Sequence, residues 1–168
     1  MGQNREGRFF RSALNKRSAT ALAFSQPTAL GAKSLRNFNT DEVRRLELPW
    51  ANAQGSARGV AELYKRLLSP NQLVRSKSLE WVTPRRSWVE RDEVIRKPMG
   101  YSFGFAKEEQ GIFSPNTEAF GHPGAGGALG YADPTHSLCI GYVMNRMGFH
   151  VRSPRALVLC DAIYESLS

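Results

Sequence analysis

Acidic side chains and cysteine are the scarce components of this chain. Lysine and arginine number 23 against 15 aspartate and glutamate, a net charge of +8. Cys139 and Cys160 are the only cysteines. Two are too few for a disulfide framework or a cysteine zinc site, and their apolar contexts read as buried free thiols. His122, His136 and His150 are the only histidines and lack metal-ligand spacing, so neither metal nor cofactor is expected. No apolar run approaches the ~18 residues that span a bilayer, which argues against a transmembrane segment. The start lacks a signal-peptide core. Glu6 stands where a myristoylation signal after Met1-Gly2 wants Ser or Thr. The resulting expectation is a cytoplasmic protein. A mitochondrial address is the alternative, since the first 20 residues are rich in Arg and Ser and poor in acid.

The positive charge is unevenly placed. Residues 1–36 hold seven basic groups against Glu6, while the rest of the chain is nearly balanced. Residues 1–34 therefore read as a basic, partly disordered N-terminal arm, and 35–168 as the body of the chain. The body has no interleaved aromatic and basic pattern, so nucleic-acid binding is not expected.

Ser56 reads as an N-cap for a helix in which Val60, Leu63, Tyr64, Leu67 and Leu68 recur at helical spacing. Ser69-Pro70 reads as the start of a second helix. Residues 83–98 read as irregular, and Trp81 and Trp88, which flank the first break at Thr83-Pro84, read as packing anchors. Beyond Met99 the period drops to two. Tyr101, Phe103 and Phe105 alternate with small residues as in a strand. Phe120 opens another extended segment. Ala128 to Tyr131 and Ser137 to Met144 form a hairpin across Asp133-Pro134, with the last strand apolar on both faces. Ser153-Pro154 opens a terminal helix with Ala156, Cys160, Ile163, Tyr164 and Leu167 in its stripe. The fold class is α+β, an antiparallel sheet with packed helices.

Gly121, Gly124, Gly126, Gly127 and Gly130 crowd one short segment. Glycine in strand-like sequence weakens the strand and marks a close approach of ligand or backbone. A lone histidine is more often a hydrogen-bonded structural residue than a functional one. His122, however, lies between Gly121 and Gly124, where a substrate could lie against the strand. Ala125, Gly126 and Gly127 keep N–H groups with little bulk around them, which suits an oxyanion-type donor. No Lys-Ser or Lys-Thr follows Gly127, so this is not a phosphate loop. His136 in the hairpin turn and His150 beyond the last strand read as peripheral.

Gly121-His122-Pro123-Gly124-Ala125-Gly126-Gly127, Gly130-Tyr131-Ala132-Asp133-Pro134 and Gly141-Tyr142-Val143-Met144-Asn145-Arg146-Met147 resemble the C-terminal part of the serine beta-lactamase-related superfamily. The similarity is to its esterase and class C-like branch. Pro49 to Gly59 followed by Leu63-Tyr64, and Tyr101 to Phe105, are similar to earlier segments of that branch. The resemblance covers about residues 35–168 and implies a partial beta-lactamase/transpeptidase-like fold. It implies a pocket built from Ser-x-x-Lys, a Tyr-x-Asn equivalent, and Lys-Thr-Gly or His-x-Gly on a sheet strand. His122-Pro123-Gly124 takes the third position. His122 and Gly124 are then substrate-binding, and the Ala125 N–H is an oxyanion-hole donor.

No serine here has lysine three residues later, and no tyrosine has asparagine two residues later. Catalytic residues are therefore none. The chain is expected to be an inactive, truncated member of an ester- and amide-hydrolysing family. The alternative is a non-catalytic interaction protein, forming homo- or hetero-oligomers through an exposed sheet edge.

Overall fold

The computed structural model describes residues 9, 11–25, 38–48, 51–107, 113–148, 150 and 152–167. Most of the expected basic arm and the Pro49-Trp50 pair lie outside the described residues. The chain divides into two compact units, Met1–Gly55 with Arg91–Lys97, and Ser56–Glu90 with Pro98–Ser168.

The first unit carries helices α1 (Ala19–Ser25) and α2 (Asp41–Arg44). Thr20 is fully buried on α1, and its hydroxyl donates to the Val94 carbonyl at 2.7 Å. Thr40 caps α2 by accepting from the Val43 N–H.

The second unit carries α3 (Ala57–Leu68), α4 (Ser76–Val82), α5 (Pro154–Leu167) and a six-stranded sheet. The strands are β1 (Ser87–Val89), β2 (Met99–Tyr101), β3 (Ala106–Lys107), β4 (Phe120–Pro123), β5 (Leu129–Asp133) and β6 (Leu138–Tyr142). They follow one another in sequence order, every neighbouring pair antiparallel. The α+β expectation is borne out.

Helix α3 forms as its sequence dictates. The Ser56 hydroxyl accepts from the Gly59 N–H at 3.1 Å, satisfying one orphan donor of the first turn. Tyr64 is buried, and Val60, Leu67 and Leu68 pack beside it. Leu63 instead faces solvent, on the flank of that stripe. Ser69 closes this helix rather than opening another. Its N–H and hydroxyl both bond to the Lys65 carbonyl, and Pro70 cannot continue the ladder. The next helix begins only at Ser76.

Residues 101–105 do not form one strand. The Ser102 N–H donates to the Phe105 carbonyl at 2.9 Å, and Gly104 takes φ +101°, turning the chain between β2 and β3. Strand β1 lies within the stretch expected to be irregular. Trp81 is not an anchor, being 53% exposed. Its ring stacks on Phe103 at 6.0 Å, and the Arg86 guanidinium lies 5.3 Å over each ring. The cation covers the indole where a core would otherwise be needed.

Alternation along β5 divides the core. Leu129 and Tyr131 face α5, in a cluster with Phe113, Ala156 and Cys160. Ala132 faces α3, with Tyr64, Phe120 and Phe105. Strand β6 is covered on both faces, as its sequence implied. Cys139 packs on the α3 side and Ile140 and Tyr142 on the α5 side. Leu167 is exposed at the last turn of α5, past the sheet. Cys160 is buried and Cys139 half-buried, and both are free thiols.

Candidate functional site

Strand β4 sits in the middle of the sheet and carries the expected histidine. Its register places Phe120 opposite Ala132, Gly121 opposite Tyr131 and His122 opposite Gly130. Phe120 and His122 therefore share the α3 face. Gly130 must lack a side chain there, because a Cβ would lie 2.6 Å from the Tyr64 ring and 2.7 Å from Val60. The Tyr64 ring fills that space, 6.3 Å from Phe120 and 6.0 Å from Phe105.

His122 is exposed, while its strand neighbours Phe120 and Gly121 are buried. Desolvation by the surrounding protein lowers the imidazole pKa, opposed by a hydrogen bond to the Pro123 carbonyl. The ring is consequently neutral at neutral pH, with one nitrogen donating and the other accepting. The Tyr64 hydroxyl is pushed up to about 12 by burial, opposed by a hydrogen bond from the His122 backbone. It is a neutral phenol packed against the strand.

After Pro123 the chain turns. The Gly124 N–H donates to the Ala128 carbonyl at 2.7 Å, and the Gly127 N–H to the Gly124 carbonyl at 3.2 Å. These bonds fix the loop on both sides of Ala125. Ala125 itself is exposed, and its N–H makes no hydrogen bond among the described residues. The turn thus holds backbone donors, the Ala125 and Gly126 N–H groups, with no hydrogen bond among the described residues. On the Gly121 side of the sheet, a cavity of about 20 Å³ lies beside Phe113 and Tyr131. That volume suits a water rather than an ester. The site is an open wall of strand and turn.

His136 is exposed in the hairpin turn, as expected, but it is not without partners. It joins a polar cluster around Asp133, which is fully buried on the last position of β5. One Asp133 carboxylate oxygen accepts from Tyr164 Oη at 2.7 Å, Asn116 Nδ2 at 2.6 Å and Ser114 Oγ at 3.0 Å. The other accepts from the Thr135 and His136 backbone N–H groups. His136 Nδ1 lies 3.2 Å from Asp133 and 2.8 Å from Asn116, so its tautomer decides which of the two it bonds. Burial alone would raise the Asp133 pKa. The hydrogen bonds, led by those from Tyr164, Asn116 and Ser114, outweigh it and hold the pKa below the ordinary value. Ser114 donates to the carboxylate instead of to a histidine, so it is not an activated nucleophile of the serine–histidine type. The sequence showed Asp133 only as a turn residue. The partners at 114, 116 and 164 come from separate segments and left no local signal.

His150 is exposed, as expected. Among the described residues no group of histidine, cysteine and carboxylate side chains could hold a metal, and no helix is long and apolar enough to cross a membrane.

The architecture is that of an α+β domain whose central antiparallel strand presents a histidine beside a glycine-rich turn. The Beta-lactamase family model matches residues 5–161, starting well upstream of the residue-35 boundary read from the sequence. This chain belongs to the beta-lactamase family. The esterase/beta-lactamase LipL of Mycobacterium tuberculosis is 30% identical over 106 residues, which are 60% of this chain and 24% of that protein. The crystal structure of a family VIII carboxylesterase superposes with TM-score 0.76 at 33% identity, over 88% of this chain and 40% of the other. A penicillin-binding protein homologue from Caulobacter crescentus gives 0.75 at 32% identity, again over 88% and 40%. The chain therefore carries part of a beta-lactamase/esterase-type fold and spans less than half the length of each of these relatives.

Proposed function

We propose that His122, Gly124 and Ala125 form the substrate-facing wall of a serine-hydrolase-type pocket that receives a small ester or amide. The observation that carries this reading is the Ala125 N–H, held in a fixed turn with no acceptor among the described residues. A carbonyl oxygen placed there would gain a preorganised donor, and the neutral His122 beside it supplies a second polar contact. The named relatives, an esterase/beta-lactamase and a carboxylesterase, support this substrate class.

These 168 residues do not complete acyl transfer alone, since they contain no Ser-x-x-Lys and no Tyr-x-Asn. Acyl transfer needs an activated nucleophile, and a donor wall without one leaves only ~10³–10⁴-fold enhancement over water even in a well-formed site. The purified chain is expected to give no turnover of p-nitrophenyl butyrate above buffer. It is also expected to take up no serine-reactive phosphonate. Turnover that His122→Ala abolishes and a phosphonate blocks would sink the proposal of inactivity.

A second reading is an interaction role, favoured by one feature. Strand β6 ends the sheet order and has no further strand beside it among the described residues. Its apolar residues and open backbone edge suit antiparallel pairing with another chain. Light scattering behind size exclusion is expected to show a dimer that Ile140→Pro weakens, Pro being unable to donate to a new ladder. A monomer at every concentration would remove this reading.

A further inference from the structure

We propose that the cleft between the β4–β5 turn and the start of α5 binds a phosphate group. The cleft has a volume of about 380 Å³, within the roughly 300–1,000 Å³ typical of small-molecule sites. Arg146, His150, Ser153 and Arg155 line it, with Met147 and Gly126, and no acidic residue does.

Three observations converge on an oxyanion. First, Ser153 is only 5% exposed, yet its hydroxyl makes no hydrogen bond among the described residues. The hydroxyl still reaches the cleft, where an acceptor would give it a partner. Second, Arg155 donates from Nη2 to the Arg146 carbonyl at 3.0 Å. This single bond holds the guanidinium at the cleft, and its other donors have no partner among the described residues. Third, Ser153 and Pro154 begin α5, whose 14 residues set a helix N-terminus toward the same space.

The glycines explain how the cleft stays open. At Gly127, φ is +121°, and a Cβ would lie 3.1 Å from the Ser153 hydroxyl and 3.6 Å from Arg155 Nη2. At Gly126 a side chain would strike Met147. The Gly126 carbonyl accepts from the Gly148 N–H at 2.7 Å, which ties the turn to the opposite bank. A bare backbone therefore floors the cleft, with cationic groups and a hydroxyl above it. The space exceeds what one phosphate needs, so free phosphate and a phosphorylated small molecule are both sterically admissible.

The test is a ¹H–¹⁵N titration of the full chain at constant ionic strength, with inorganic phosphate in one arm and glucose 6-phosphate in the other. Saturable shifts are expected at Gly126, Gly127 and Arg155. Saturation in both arms identifies the phosphate group as the ligand, and saturation with the sugar phosphate alone assigns an organic phosphate. Arg146→Gln, whose side chain has no partner among the described residues, should weaken binding about tenfold, as expected for a charge-assisted hydrogen bond. Ser153→Ala should weaken it further, and Arg58→Gln on α3 should leave it unchanged. No saturation in either arm overturns the proposal. So do shifts spread evenly over surface lysines and arginines, or affinity indifferent to Arg146→Gln and Ser153→Ala.

Discussion

Replacing Asp133 with alanine is expected to destabilise the second unit by about 3 kcal/mol, the usual scale when a buried, multiply bonded charge is removed from its partners. Asp133 is fully buried and accepts from three side chains on separate segments, Ser114, Asn116 and Tyr164. The alanine variant leaves those donors facing each other around an empty space. Urea unfolding followed by the midpoint at constant m reads the loss directly. A change below about 1 kcal/mol would mean that water replaces the carboxylate at little cost.

The same residue sets the acid limb of stability. Its folded pKa is depressed below the ordinary 3.8. The stabilisation is therefore complete above the unfolded value and is lost as pH falls through the lower folded one. Asp133→Asn should remove that limb while leaving the neutral-pH profile flat. An unchanged acid limb in the variant would assign it to other carboxylates.

The second large effect is expected at Gly141 on β6. A Cβ there would fall on the Ala57 carbonyl and lie 2.8 Å from the Ala61 backbone nitrogen. Both obstacles are main chain of α3, so no rotamer change relieves them. Gly141→Ala should cost about 2–3 kcal/mol by overpacking. Gly130→Ala meets only the Tyr64 and Val60 side chains. Trimming Val60 to alanine should therefore recover part of the Gly130→Ala loss and none of the Gly141→Ala loss. Equal rescue of both would show that α3 slides freely over the sheet.

The sequence exposed the parts of this fold that local chemistry decides. Ser56 with the apolar stripe of α3, the Asp133-Pro134 turn and the two-sided apolarity of β6 are each written within a few residues. The errors fall where distant groups decide. Phe103 and Phe105 alternate as in one strand, but Gly104 at positive φ bends the chain between them. Ser69-Pro70 carries the residues of a helix start, but Ser69 is already bound to the Lys65 carbonyl behind it. Trp81 looks like a core residue because nothing nearby in sequence reveals that Arg86 and Phe103 cover it. The exposed turn position of His136 is legible in the sequence, but its partners Asn116 and Tyr164 come from distant segments. At the candidate site, the glycine spacing around His122 is legible in the sequence, and the structure places it on β4 and the turn after it. Which N–H groups of the turn stay unbonded emerged only from the bonds around them.

Opposite one another on adjacent strands, His122, Gly130 and Gly141 form a row across β4, β5 and β6 under α3. The two glycines make a trough that sets how closely the helix approaches, and Tyr64 reaches the His122 backbone from that helix. Positions 130 and 141 are thus closed to drift for two reasons at once. A side chain there lifts the helix, and the lifted helix releases the histidine. Any lineage of this chain that kept its fold would keep the posture of His122 as a by-product, whether or not catalysis was still being selected.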